Sequence, residues 1–451
     1  MRPLPDGRVL AWYGDDFTGS AAVMEVLTFA GLEAVMFLDL PGEADLARFP
    51  QARAVGVAGD ARTRGPDWMR SHLPPIFDAL GRLGGSILHY KICSTLDSAP
   101  HVGSVGIAAE CGIGPEGWAP LLVAAPEIGR WQAFGTLFAR AGADVFRLDR
   151  HPTMSRHPVT PMNEADVRLH LARQTQLAHG LVSLIDLKSG RSAEALDRER
   201  GKGARIVALD VVDDETLAEA GALIWAGGAR FAIGSQGLEY ALVAAWKAAG
   251  LLPRPPKPHP VAPVRQIAAV SGSCSPITAE QIEVAERDGF AVVSVDAGRA
   301  VNAGAWEAAC AEAAAEALAA LGLGRSVIVA TARGPGDPAI AAADAARTGA
   351  GLEPETFNAR VGTGLGRLLD SVAREVGLTR AAIAGGDTSS FGARALGLFA
   401  LTAQALLAPG AALLRGHSAD PTRDGIEIAL KGGQMGPPDF FVRMRDGGDA
   451  A

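Results

Sequence analysis

Cysteine is scarce in this chain and poorly spaced for chemistry. Cys93, Cys111, Cys274 and Cys310 form no CxxC pair and no metal-ligand pattern. That excludes a disulfide scaffold and a zinc module, and reads as reduced thiols in a cytoplasmic protein. No apolar run reaches membrane length, and the start MRPLPDGRVL carries no apolar signal segment, so no spanning helix or secretory leader is expected. Long basic runs are missing and the formal net charge is −8. Nucleic acid is therefore not an expected partner, and an anionic substrate must be met by local positive charge. GxxxxGK[ST] does not occur, against a P-loop NTPase. No GxGxxG follows the first strand of either half, against a Rossmann dehydrogenase. What remains is ordinary for a soluble enzyme. With 451 residues, 48% hydrophobic and 20% charged, the chain is too apolar for disorder and long enough for two or three domains.

Apolar runs alternate with helix-like spacing, which predicts an α/β fold with helices on both faces of a parallel sheet. Strands are expected at 9–13, 34–38, 54–58, 86–90, 121–124, 182–185, 205–209 and 231–233. One helix, 66–83, is expected to kink or break at Pro74-Pro75. The Arg-, Pro- and His-rich stretch 126–161 is expected to form long loops. Residues 250–264 hold six prolines and no periodic pattern, the signature of a semi-rigid linker. It separates a domain of 1–249 from one of 265–451, where strands at 266–270, 291–295, 326–330 and 380–383 restart the rhythm. After Leu396 the pattern loosens, ending in a strand-like run at 426–431. The expected architecture is two α/β domains, each with a mostly parallel sheet flanked by helices, and a ligand cleft between them.

Gly14-Asp15-Asp16-Phe17-Thr18-Gly19 follows the first apolar run and leads into helical spacing. Asp15 and Asp16 thus stand at a strand's carboxyl end, where open α/β sheets bind ligands. Helix capping accounts for one carboxylate. Two adjacent ones repel, and need a cation or a donor-rich ligand. Arg62 and Arg64 follow the strand at 54–58, while Lys91, Ser94 and Thr95 follow that at 86–90, so all are expected in one crevice. Arginine, lysine and hydroxyls together suit a polyhydroxy carboxylate. Gly129-Arg130 and the histidines of 151–158 are weaker candidates, and no metal site is expected from His151 and His157. Cys93 and Cys274 lie in candidate turns without an activating neighbour and read as packing residues.

Three Gly/Ser-rich turns mark strand ends in the second half: Ser271-Gly272-Ser273-Cys274-Ser275, Gly385-Gly386-Asp387-Thr388 and Lys431-Gly432-Gly433. Glycine lets backbone N–H groups close on a phosphate, and the helices that follow the first two turns add a favourable field. Three such turns in one domain point to a nucleotide. Asp387 has two readings, action through magnesium or its water, and helix capping.

Taken in order, these motifs resemble those of the four-carbon acid sugar kinase family. Its pattern has DDxTG after the first strand, Lys-x-x-Ser-Thr after a later one, and SGSCS opening the second domain. GG(E/D)T and a KSG or KGG turn before GPDFF complete it. Here they stand at 15–19, 91–95, 271–275, 385–388, and 431–433 before 438–441. The resemblance implies an ATP- and magnesium-dependent kinase whose first domain holds the sugar acid and whose second holds ATP. Its members phosphorylate the terminal hydroxyl of threonate, erythronate or 3-oxo-tetronate. On this reading Arg62, Arg64 and Lys91 hold the substrate carboxylate, and Asp16 or Asp15 takes or orients the proton of the attacking hydroxyl. The family's Gly-Asn-(Ile/Val)-Gly appears as Gly103-Ser104-Val105-Gly106, a departure that admits a branched acid such as 3-oxo-isoapionate. A non-catalytic sugar-acid sensor and a nicotinamide-dependent oxidoreductase of the same acids stay open as alternatives. So does the oligomeric state, a homodimer included.

Overall fold

The computed structural model describes residues 1–157, 159–255, 260–408 and 411–448. The chain divides into two compact units, 1–256 and 257–451.

Short apolar segments bounded by turns form the strands of the first unit. They are β1 (Leu10–Gly14), β2 (Ala34–Phe37), β3 (Ala54–Ala58), β4 (Ile87–Lys91) and β5 (Ala119–Leu122). An inserted meander follows, β6 (Arg130–Ala133), β7 (Thr136–Ala141) and β8 (Asp144–Arg147), and then β9 (His179–Val182), β10 (Ile206–Leu209) and β11 (Phe231–Gly234). The main strands lie in the order β2-β3-β1-β4-β11-β5-β10-β9, and every pairing is parallel. Parallel neighbours need crossovers, and helices such as Phe17–Phe29, Pro66–Gly81 and Gly237–Ala248 supply them. Because β1 lies between β3 and β4, the chain leaves it in one direction and later returns on the other side. Its carboxyl end is a topological switch point.

The second unit begins the same way. It contains β12 (Ala268–Ser271), β13 (Ala291–Ser294), β14 (Val327–Ala330), β15 (Arg380–Ala384), β16 (Leu398–Ala408), β17 (Ala411–Ser418) and β18 (Glu427–Lys431). The order is β13-β14-β12-β15-β18-β17-β16, parallel as far as β18 and antiparallel through β17 and β16. Its first strand, β12, again lies between the third and the fourth.

Four sequence expectations change. The helix Pro66–Gly81 runs through Pro74 and Pro75 without a break. Leu73 and Phe77 anchor its buried face, while Arg70 and Ser71, whose carbonyls lose their donors, are exposed to water. The stretch at 126–161 carries a three-stranded antiparallel sheet rather than long loops alone. The loosened pattern after Leu396 is a long hairpin, which local periodicity concealed because register shifts interrupt its alternation. The linker is partly packed: Val261 and Val264 donate backbone hydrogen bonds to Gly448 and Arg445, and Val261 joins the hydrophobic core. Buried Arg380 donates to the carbonyls of Ala262 and Met444, both at 2.9 Å, securing that strap to the helix Phe440–Asp446. Residues 256–259 of the linker lie outside the described residues.

Candidate active site

In the first unit the strand ends are stitched together by their own backbones. Asp15 N–H donates to the Lys91 carbonyl at 2.9 Å, and Arg62 N–H to the Asp15 carbonyl at 3.0 Å. This brings Asp15, Asp16, Arg62 and Lys91 to one point. Arg62 Nη2 and Nε donate to the two oxygens of Asp15 at 2.6 and 3.2 Å, and Nη1 donates to Asp16 at 2.8 Å. One planar guanidinium thus neutralises the repulsion between neighbouring carboxylates. It keeps an N–H on each of Nη1 and Nη2 for a ligand.

The two aspartates are not equivalent. Asp15 is 1% exposed, and burial pushes its carboxyl above the usual range against the pull of Arg62. The Asp16 side chain is 21% exposed. Burial raises it as well, but Arg62 and Lys91, with hydrogen bonds from Thr18 and Gly19, hold it below the usual range. Asp16 also caps the helix Phe17–Phe29 through Gly19 N–H at 3.0 Å. Capping and accessibility therefore fall on the same residue. Gly19 is needed there: a Cβ would stand 2.4 Å from Asp16 Oδ1 and 2.5 Å from Lys91 Nζ. Lys91 is 2% exposed and donates to the Ile92 carbonyl at 2.7 Å.

The remaining candidates of this unit sit less centrally. Arg64 pairs with Asp60 at 2.6 Å and lies over the Trp68 ring. Thr95 donates to Asp97 at 2.9 Å and takes a bond from Cys93, so the Cys93 thiol is the donor. Burial, then Asp97, push that thiol up to about 11, in keeping with an inert Cys93. Ser94 is half-buried in the same turn, just ahead of Leu96, which adopts φ 54°. His151 and His157 accept from nearby backbone N–H groups, of Thr153 and Met154 and of Thr160, and so organise their own loop. Ser104, fully buried, caps the helix Val105–Gly112 and donates to Gln174 at 3.2 Å.

In the second unit the three turns leave adjacent parallel strands, β12, β15 and β18, and interlock. Ser271 closes β12. A Cβ on Gly272 would meet Thr388 Oγ1 at 2.2 Å, and Gly385 has φ 116° with Ser273 and Thr388 against it. Ser275 caps the helix Pro276–Arg287 and also donates to the Gly433 carbonyl. Ser273 Oγ lies where a Gly433 Cβ would go, at 2.6 Å, while Gly432 turns the chain beside Met435. Gly386 begins the helix Gly386–Ala395 and faces open space: no atom lies within 4 Å of a Cβ placed there. The Asp387 side chain lies outside the described residues. Cys274 is exposed, which overturns its packing role. Partial burial and Asp337 push its thiol up.

Sequence reasoning named the Lys431 turn for its glycines and missed the lysine itself. Lys431 is 0% exposed, and its ammonium donates to Thr278 Oγ1 at 3.0 Å and the Gly432 carbonyl at 3.1 Å. Among the described side chains no carboxylate offsets its burial, which depresses its pKa to about 8. An uncompensated buried cation among phosphate-suited turns is a strong anion attractor. The described residues contain no cluster of three or more His, Cys, Asp or Glu fit to hold a metal, and no helix among them is long and apolar enough to cross a membrane.

Residues 10–242 match the model of a sugar-binding N-terminal domain, and residues 268–441 that of a nucleotide-binding C-terminal domain. The chain is 47% identical to a 3-oxo-isoapionate kinase of Paraburkholderia graminis, over 98% of this chain and 95% of that one. It is 33% identical to a 3-oxo-tetronate kinase of Methylobacterium radiotolerans, over 97% and 98%. A crystal structure from Salmonella typhimurium LT2 superposes with TM-score 0.75 at 22% identity, covering 96% of this chain and 98% of its own. At that identity it speaks for the fold alone. The kinase relatives displace the sensor and oxidoreductase alternatives. The chain belongs to the four-carbon acid sugar kinase family and is a sugar-acid kinase, with a sugar-binding first domain and a nucleotide-binding second.

Proposed function

We propose that this kinase uses ATP and magnesium to phosphorylate a primary hydroxyl of a branched 3-oxo sugar acid of the 3-oxo-isoapionate type, in the cytoplasm. The observation that carries the substrate is the higher whole-length identity to the relative of that name than to the 3-oxo-tetronate kinase. Phosphoryl transfer asks a protein mainly for position and charge neutralisation. Ser271, Gly272, Ser273, Ser275, Gly385, Gly386, Thr388, Gly432 and Gly433 supply a cradle of turns for the nucleotide, with Asp387 at its edge and Lys431 facing the phosphates. Magnesium, which keeps several waters and needs few protein ligands, neutralises the phosphate oxygens when bound.

Asp16 is the group placed to accept or orient the hydroxyl proton, being the accessible member of the pair. Its lowered pKa makes it a weak base, which suits a loose transition state where the proton leaves late. Arg62 pairs with both carboxylates and turns its free N–H groups to the substrate, beside Lys91, Ser94 and Thr95, with Arg64 at the rim. Coupled ADP-release assays over a panel of sugar acids test the assignment. The expected ranking puts 3-oxo-isoapionate first in kcat/KM, ahead of 3-oxo-tetronate, threonate and erythronate. Faster turnover of a four-carbon acid would overturn the branched substrate and leave the kinase standing.

A further inference from the structure

The sugar acid must bring a carboxylate, yet much of Arg62 is occupied by Asp15 and Asp16. A second arginine in the same unit is not so committed. The chain leaves β5, passes through a 3-10 turn at Pro126–Ile128, takes a left-handed step at Gly129 (φ 73°), and delivers Arg130 at the start of β6. Two backbone hydrogen bonds between Ala125 and Arg130, at 3.0 and 3.1 Å, clamp that turn. The side chain is therefore held on a rigid loop at the carboxyl end of the sheet, as the other site residues are.

The surroundings of Arg130 are unusual for a structural arginine. Nη1 donates to the carbonyls of Ile128 and Gly129, at 3.2 and 3.0 Å. Nε is buried with no partner, and among the described residues no carboxylate forms an ion pair with this guanidinium. Burial lowers its pKa; Cys93 and then Asp97 pull the other way, and the neighbouring Arg140 adds a smaller push down. Cys93 is also within electrostatic reach of Arg62, so both arginines lie within reach of one thiol. That thiol carries a proton, so it neutralises neither.

We infer that Arg130 is the carboxylate anchor of the sugar acid, its vacant N–H groups pairing with the acid while Arg62 organises the aspartates. A half-buried guanidinium with a buried, unpartnered Nε costs stability in the free protein, which an arriving anion offsets. Its planar fork matches a carboxylate in two parallel bonds. Lys91 then faces the hydroxyl side of the substrate, nearer Asp16. The inference rests on the sugar-acid kinase reading and adds to it a residue outside the turns of the family pattern.

The test compares wild type, Arg130→Ala and Arg130→Lys with the best sugar acid and with its neutral primary amide, the amide being followed as a competitive ligand. Arg130→Ala should raise KM for the acid roughly 10- to 100-fold and leave KM for ATP unchanged. It should also erase the preference for acid over amide, with a melting temperature at or above wild type. Arg130→Lys, charged but without the fork, should fall between, and added guanidinium ion should partly restore Arg130→Ala. Retained preference for the acid, or equal losses for acid and amide, would overturn the inference. So would a lowered melting temperature with the preference intact, the mark of a structural arginine. Wild type that turns over no sugar acid would overturn the kinase reading and this one together. Wild-type turnover with an unchanged Arg130→Ala overturns this one alone.

Discussion

Lys431 offers the most direct handle on the nucleotide site, because its charge can be removed by pH as well as by mutation. Its ammonium has lost its water and gained only a hydroxyl and a carbonyl. The gap between its pKa of about 8 and the ordinary 10.5 corresponds to about 3 kcal/mol of unrelieved charge burial. A phosphate beside it would remove much of that penalty and return the pKa towards or above 10. Binding then takes up a proton wherever the free lysine is neutral. The sign follows. Below about pH 7.5 the lysine is charged with or without nucleotide, and affinity is flat. Above pH 8 affinity falls by roughly tenfold per pH unit, so ADP should bind about tenfold more weakly at pH 9 than at pH 7. A phosphate ester with a pKa of about 6 is already about nine-tenths ionised at pH 7, so the ligand's own titration contributes little across the window. Calorimetry at both pH values, in two buffers of different ionisation enthalpy, reports the affinity and the proton uptake together. Lys431→Met should bind ADP roughly 10- to 100-fold more weakly at pH 7 and lose the pH dependence. In the free protein the folded state binds fewer protons than the unfolded between about pH 8 and 10.5, so Lys431 makes stability rise with pH there, and the variant flattens that rise. Constant affinity from pH 7 to 9 in folded wild type, or the same pH dependence in Lys431→Met, would refute the reasoning.

The other expectations are shorter. Asp16→Asn should cut turnover by roughly 10²–10⁴-fold with little loss of stability, since Asn also caps helices; turnover near wild type would move the base elsewhere. Asp15→Asn should lose about 3 kcal/mol in denaturant unfolding because it breaks a buried pair with Arg62, and an unchanged midpoint would count against that pair. Lys91→Ala should raise KM for the sugar acid roughly tenfold and spare that for ATP; the reverse pattern would assign Lys91 to the nucleotide. Gly386→Val should fold, since its Cβ meets open space, and lose ADP binding in calorimetry, whereas Gly272→Ala should lower the melting temperature as well, its Cβ colliding with Thr388.

How far the sequence goes depends on which contacts are local. Alternating apolar runs and Gly/Ser turns are local signals, so the strand ends carrying Asp15, Lys91, Ser271 and Gly385 are legible from the residues alone. The helix through Pro74 and Pro75 is not, because what holds it is the burial of Leu73 and Phe77 against other elements. Strand order is equally non-local. Nothing near Arg62 announces that β3 and β4 flank β1, and that adjacency is what makes this candidate ligand arginine a partner of two aspartates as well. Lys431 is hidden for the same reason: its partner Thr278 lies 153 residues away. Ser104 shows the limit from the other side. Its departure from the family pattern is plain in the sequence, but only the structure shows it buried against Gln174.

The two lysines explain why the halves divide their labour as they do. Each ends a parallel strand beside a Gly-rich turn, each is buried, and each folds back to donate to the carbonyl of the residue that follows it, Lys91 to Ile92 and Lys431 to Gly432. The backbone solution is the same, and the electrostatic setting differs. Lys91 lies against Asp16, in a crevice whose aspartates and Arg62 already offset one another. Such a balanced site can take a weakly charged polyol acid, and it keeps a carboxylate free to meet a hydroxyl. Lys431 has a threonine hydroxyl, a carbonyl and the Phe440 ring face at 5.9 Å, and no carboxylate partner among the described side chains. An anion brought from outside would relieve it, and a polyphosphate delivers more charge to one cation than a single carboxylate can. On the proposed reading, the same strand-end lysine would serve acceptor chemistry where acids accompany it and phosphate capture where they do not.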